Sequence, residues 1–146
     1  MDSTEAERIH ELLMDLARAT GWLQPDQSSH DESFSVSQAF ALHELDTETP
    51  LSQQELAERL RLEKSSVSRM AAEMERKGLL VRERDPDNRR VYRLVLTDRG
   101  RARHAQMAAV YHKQFLRWVA AMTHVERAAL LMGLPALVRV IREDLS

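Results

Sequence analysis

The chain has 146 residues, 43% apolar and 30% charged, with no cysteine, which suits one compact domain with a real core and excludes disulfide, thiolate or cysteine-redox chemistry. No apolar run approaches the roughly 18 residues of a membrane span, and the acidic, polar start "MDSTEAERIH" lacks the layout of a signal peptide, so a cytoplasmic protein that does not engage a membrane is expected. A net charge of -2 argues against a general polyanion binder, yet residues 59–103 hold fourteen Lys and Arg against seven Asp and Glu, a local +7 that leaves -9 elsewhere.

In chain order, Ala6 to about Leu23 reads as a helix, with Ile9, Leu12, Leu13 and Leu16 on one stripe and charge opposite. "QPDQSSHDES" (Gln24–Ser33) is a connector rich in Pro, Asp and Ser. "SVSQAFALHELD" gives a second helix, with Val36, Ala39, Phe40 and His43 on a helical stripe. Pro50 and Ser52 begin a third. There Ser52 can accept from a helix amide while Glu55 reaches back, a capping box, and Leu56, Ala57 and Leu60 form the buried side. A fourth helix runs from after Leu62 to Lys77 and buries Val67, Met70, Ala71 and Met74. Gly78 follows where a left-handed C-cap belongs. "LLVRER" and "VYRLVLT" have strand length, and "DPDNRR" between them is a polar turn. Thr97 caps a long helix to about Met122, and Thr123 to Glu126 is a capping box opening a last helix to about Leu145. Gly133 and Pro135 predict a kink or break within that helix.

Two short helices joined by a tight turn and followed by a hairpin make a winged helix-turn-helix. The expected fold class is therefore mainly α with a small β-hairpin. The second helix of such a pair can lie in a DNA major groove, with its first residues at base edges. Here it opens on small, polar and basic residues. Ser65, Ser66 and Ser68 are short enough for close approach, and Arg69 can reach a guanine O6/N7 pair bidentately. Lys64 and the helix N-terminus suit phosphate. Arg89 and Arg90 stand at or beside the hairpin tip, where a narrow minor groove attracts arginine, and Asp87 can orient one of them. The plainer reading makes the serines ordinary caps and the charged tip a device that keeps an edge strand soluble.

The segment "LSQQELAERLRLEKSSVSRMAAEMERKGLLVRERDPDNRRVYRLVLTDRGR" resembles the core of the MarR family of bacterial transcriptional regulators. The resemblance is carried by "LA-RL", "S-V-R", "E--GL" and "DP-D-R" before "LT--G", and the helix layout extends it to nearly the whole chain. It implies a single MarR-like domain over residues 1–146, with the winged helix-turn-helix at 34–98 and dimerisation helices at 5–24 and 99–145. It also implies a homodimer that binds a pseudo-palindromic operator in double-stranded DNA, usually to repress. Apolar residues of the last helix, Val125, Ala128, Ala129, Met132, Leu137, Val140 and Ile141, exceed what one small winged domain needs. Two positions depart from the family pattern. Arg61 stands where the turn usually has glycine, implying a less tight turn or a left-handed arginine, and Asn88 stands where the wing usually has Asp before its paired basic residues.

The resemblance further implies a small aromatic effector between the dimerisation helices and the winged domain. Trp22, Phe34, Phe40, His43, Met107 and Tyr111 are the candidates to line that cleft, although each is also an ordinary core residue type. No cofactor and no metal are expected. His104 and His112 are eight apart rather than i,i+4, and only His43-Glu44 would be left to complete a site with them. Nor is an enzyme expected, since no Ser-His-Asp ordering, Gly-rich phosphate loop or nucleophile elbow is present. The alternative function is a winged-helix protein-interaction module without sequence-specific DNA binding.

Overall fold

The computed structural model describes residues 2–22 and 34–146. The Gln24–Ser33 connector and the expected helix end at Leu23 lie outside them. The elements run α1 (Ser3–Ala19), α2 (Val36–Leu45), β1 (Leu51–Ser52), α3 (Gln53–Leu60), α4 (Lys64–Arg76), β2 (Leu80–Arg84), β3 (Tyr92–Leu96), α5 (Asp98–Ala121) and α6 (His124–Asp144). The chain divides into two compact units, Met1–Ala105 and Gln106–Ser146.

In the first unit, α1 starts at Asp2, whose carboxylate accepts from the Thr4 amide. Its stripe of Ile9, Leu12, Leu13 and Leu16 is exposed, and no residue of α1 is buried. Helix α2 is capped by Ser35, which accepts from the Gln38 amide at 3.1 Å. It buries Gln38, Ala41, Leu42 and Leu45. The stripe expected from the sequence is the opposite one, since Val36, Phe40 and His43 are exposed. Both stripes satisfy helical spacing, so periodicity alone cannot choose between them. The core takes the two leucines.

The sheet has three antiparallel strands in the order β1–β3–β2, one more than the hairpin foreseen. Strand β1 pairs Leu51 with Leu94 and Ser52 with Arg93. Two residues are too few to show an alternating pattern, which is why the sequence conceals it. Ser52 accepts from the Glu55 amide at 3.0 Å, so half of the expected capping box forms; among the described residues Glu55 makes no bond back. Strands β2 and β3 pair from Leu80 with Leu96 to Arg84 with Tyr92. Leu42, Leu51, Leu56, Val67, Met74, Leu80, Leu94 and Leu96 converge beneath this sheet into one apolar core. Met70 and Leu60 are half-buried at its margin. Helix α4 ends on Gly78 at φ +74, as the C-cap pattern implies, and the Leu79 amide returns to the Met74 carbonyl.

In the second unit, α6 begins with the expected capping box in full. Thr123 Oγ1 accepts from the Glu126 amide, and Glu126 accepts from the Thr123 amide at 2.8 Å. That backbone bond, with the Thr123 hydroxyl bond second, holds the Glu126 carboxyl below the ordinary glutamate value. A carboxyl lowered by folding stabilises the fold at neutral pH, and the benefit is lost as pH falls through its lowered value. Of the kink or break expected at Gly133 and Pro135, the break does not occur. Helix α6 is continuous from His124 to Asp144 with Pro135 inside it. Proline forfeits one amide bond to the carbonyl four residues back, and the Ala, Leu, Met and Arg residues around it favour the helix enough to carry it through. No residue of α6 is buried within the chain.

Candidate nucleic-acid interface

Helices α3 and α4 form the paired helices, joined across Arg61, Leu62 and Glu63. Arg61 adopts φ 53 and ψ 45, so the glycine position of the turn is held by a left-handed arginine. Its amide donates to the Glu58 carbonyl and the Leu62 amide to the Ala57 carbonyl, closing α3. Helix α4 lodges Val67, Ala71 and Met74 in the core, which turns the other side outward. Lys64, Ser65 and Arg69 are exposed, and Ser66 and Ser68 are half-buried. Among the described residues the one hydrogen bond of the Arg69 guanidinium is to Ser66 Oγ at 3.5 Å, so it is held loosely. Glu63 occupies the N-cap without a side-chain bond to the helix, and no acidic residue lies in the first turn. The leading edge of α4 is thus polar, basic and open.

At the other end α4 is tied to the sheet. Glu75 accepts from the Arg82 amide at 2.9 Å and forms an ion pair with its guanidinium. The wing follows between β2 and β3. Asp85 organises its turn, accepting from the amides of Asp87 at 2.8 Å and Asn88 at 3.2 Å, with Arg93 Nε at 4.0 Å from its other oxygen. Asn88 accepts from the Arg90 amide, and Arg84 lies over the Tyr92 ring while donating to the Arg89 carbonyl at 2.6 Å. Arg89 and Arg90 are exposed, and among the described residues neither guanidinium has an ion pair. The orienting contact expected from Asp87 to one of these arginines is not seen among the described residues, where Asp87 enters the turn through its backbone amide. Sequence reading missed Asp85, Arg84 and Tyr92. The available signal was the spacing of an aspartate two and three residues before backbone amides, the pattern of an Asx turn. The Asn88 departure also has a use here, since an amide oxygen serves as well as a carboxylate to accept from Arg90.

The effector candidates fall in both units. In the first, Phe34 is half-buried beneath Lys77 Nζ at 5.1 Å and the Arg103 guanidinium at 4.6 Å. Trp22, Phe40 and His43 are exposed, and the His43 ring meets that of His104 edge-on at 5.5 Å. His104 Nδ1 is 2.6 Å from an Asp46 carboxylate oxygen, and Glu44 pairs with Arg59 at 3.2 Å. In the second unit, Met107 is half-buried and Tyr111 exposed. Among the described residues no group of three His, Asp or Glu is arranged to hold a metal ion, and no helix is long and apolar enough to cross a membrane.

A helix-turn-helix with an open polar helix and a basic wing defines the class: a winged helix-turn-helix protein. The sequence profile of the MarR family matches residues 34–92. The HTH-type transcriptional repressor MdtR of Bacillus subtilis (strain 168) is 30% identical over 106 residues, spanning 71% of this chain and 68% of that protein. Among solved structures, Streptococcus pneumoniae FabT in complex with DNA matches with a TM-score of 0.83 at 22% identity, covering 97% of this chain and 99% of that one. PcaV from Streptomyces coelicolor in complex with its natural ligand matches at 0.65 and 23% identity, covering 97% and 91%. At those identities the two structures share the fold. The chain belongs to the MarR family of transcriptional regulators.

Proposed function

We propose that the chain is a sequence-specific DNA-binding repressor that grips a pseudo-palindromic operator as a homodimer. One observation carries this reading: α4 presents Lys64, Ser65 and Arg69 to solvent with no side-chain cap on its first turn, while Val67, Ala71 and Met74 on its other face are buried in the core. Lys64, Ser65, Ser66, Ser68 and Arg69 are assigned to the major groove and its phosphates, and Arg89 and Arg90 to the minor groove. The repressor MdtR and the DNA complex of FabT support it. Residues 1–146 act as one MarR-like domain, with 34–98 reading DNA and the helices at 5–24 and 99–145 dimerising. Such a regulator works in the cytoplasm, where its DNA lies. A small aromatic effector that releases DNA is part of the proposal, supported by the ligand complex of PcaV. It would act through its differential affinity for the DNA-bound and free conformations.

Apolar surface supports the dimer. Val125, Leu131 and Met132 on α6 are each 78% exposed, and Val110, Phe115, Leu116, Leu134, Val138 and Val140 are exposed with them. Helices this apolar are normally buried, and apolar patches of this extent mark interfaces. Sedimentation equilibrium at micromolar concentration is expected to give twice the chain mass, and a monomer mass would refute the dimer. Two-fold symmetry then sets half-sites about one turn, ~10 bp, apart.

The direct test is fluorescence anisotropy on DNA from immediately upstream of the protein's own gene, against a scrambled duplex of equal length. Binding should prefer the native duplex and weaken steeply with salt, because each neutralised phosphate releases counterions. Weak, equal and salt-insensitive binding to both would instead favour a protein-interaction module.

A further inference from the structure

Arg61 is the one non-glycine residue at positive φ among the described residues. The bonds that close α3 require the left-handed conformation there. Glycine adopts it without cost, whereas a side chain strains the backbone. Arg61 is exposed, and among the described residues its guanidinium has no hydrogen bond or ion pair. By contrast Arg59, two residues earlier, pairs with Glu44.

The charge caps the C-terminus of α3, whose dipole end favours a cation, and it also faces the turn that leads into α4, where Lys64 begins the helix. Only Glu63 brings negative charge to the turn. Backbone strain and a guanidinium without a partner among the described residues thus coincide at one residue. An anion docked against the turn would give that guanidinium its partner, and the adjoining helix is the one assigned to the major groove. We propose that Arg61 is a DNA-phosphate contact, retained at the expense of fold stability. The proposal rests on the DNA-binding reading above. It adds a sequence-independent anchor at the turn, distinct from the base-reading role given to Arg69.

The test uses the full chain as wild type, Arg61→Gly and Arg61→Lys. Thermal unfolding is measured for each, with anisotropy titrations over a salt series on the upstream duplex and the scrambled one. Arg61→Gly is expected to melt a few degrees higher. It should bind both duplexes several-fold more weakly, with a salt slope reduced by about 0.9 per protomer. Arg61→Lys should keep the slope and the wild-type melting temperature. An Arg61→Gly protein with unchanged affinity and slope would overturn the contact, as would an Arg61→Lys protein that loses as much slope. A lower melting temperature for Arg61→Gly would overturn the strain argument. If the wild type itself shows no salt-sensitive binding, the DNA-binding reading fails first.

Discussion

Gly100→Ala is expected to destabilise the winged domain by about 3 kcal/mol or more, a large share of the 5–15 kcal/mol that holds a typical domain together. A Cβ added at Gly100 would lie 2.0 Å from the Leu79 carbonyl oxygen and 3.0 Å from its carbon, with Leu96 Cδ2 at 3.3 Å. The obstacle is backbone, so no rotamer change relieves it. That backbone is also committed elsewhere. The Leu79 carbonyl accepts from the Thr97 amide, and Thr97 Oγ1 donates to the Gly78 carbonyl at 2.6 Å while accepting from the Gly100 amide. Moving Leu79 aside therefore disturbs the C-cap of α4, the end of β3 and the start of α5 together. Urea unfolding followed by circular dichroism checks this through a lower midpoint at unchanged slope. A midpoint equal to wild type would show that the close approach is not required. Gly133→Ala is the control of opposite sign. Its Cβ meets nothing within 4 Å, and alanine in a helix interior is favoured over glycine by about 0.5–1 kcal/mol.

Gly100 also shows what kind of information the sequence holds. Its place in "LT--G" carried the family resemblance, but the reason for it is a close approach between α5 and the residue after the Gly78 cap, a contact across 21 positions that no local pattern displays. Local signals were readable where the physics is local. Thr123 with Glu126, Gly78 and the strands after it, and the apolar stripe of α4 all depend on neighbours within about a turn, and they stand as expected except that Met70 of that stripe is half-buried. Helix α2 stands where expected, but its buried face was not legible, because choosing between two equally periodic faces needs the rest of the core. Strand β1 failed because its pairing with β3 is the whole of its identity. Pro135 does not break α6, because a proline penalty is weighed against the entire helix around it.

The interface divides in the same way. The leading edge of α4 was legible because a helix that buries Val67, Ala71 and Met74 must turn Ser65 and Arg69 away from the core. The wing was half legible. Its exposed arginines were read from composition, but the Asp85 turn and the Arg84 brace over Tyr92 depend on strand register. Arg61 was visible as a departure, and its φ value turns that departure into a quantity that can be tested.

Arg69→Ala is expected to cost about 1–3 kcal/mol of discrimination at its base pair, roughly a 5- to 150-fold loss of preference. The substitution is clean. Alanine favours the helix, the buried face of α4 is untouched, and the one hydrogen bond removed among the described residues is a 3.5 Å approach to Ser66. Fold and dimer should therefore survive, which circular dichroism and sedimentation verify. The loss should appear as a smaller gap between native and base-substituted duplexes. Arg90→Ala should behave differently, because a minor-groove arginine reads width and potential more than base identity. It should weaken binding chiefly where the flanks are AT-rich and leave the central preference intact. Anisotropy titrations with a matrix of central and flanking substitutions separate the two. Equal operator affinity for Arg69→Ala and wild type would sink the assignment of Arg69 to a base, and an unchanged response to flank composition would do the same for Arg90. If both patterns appear, α4 carries the sequence-specific part of recognition and the wing carries the part that depends on groove shape, a division that follows from one rigid helix edge and one turn braced by Asp85.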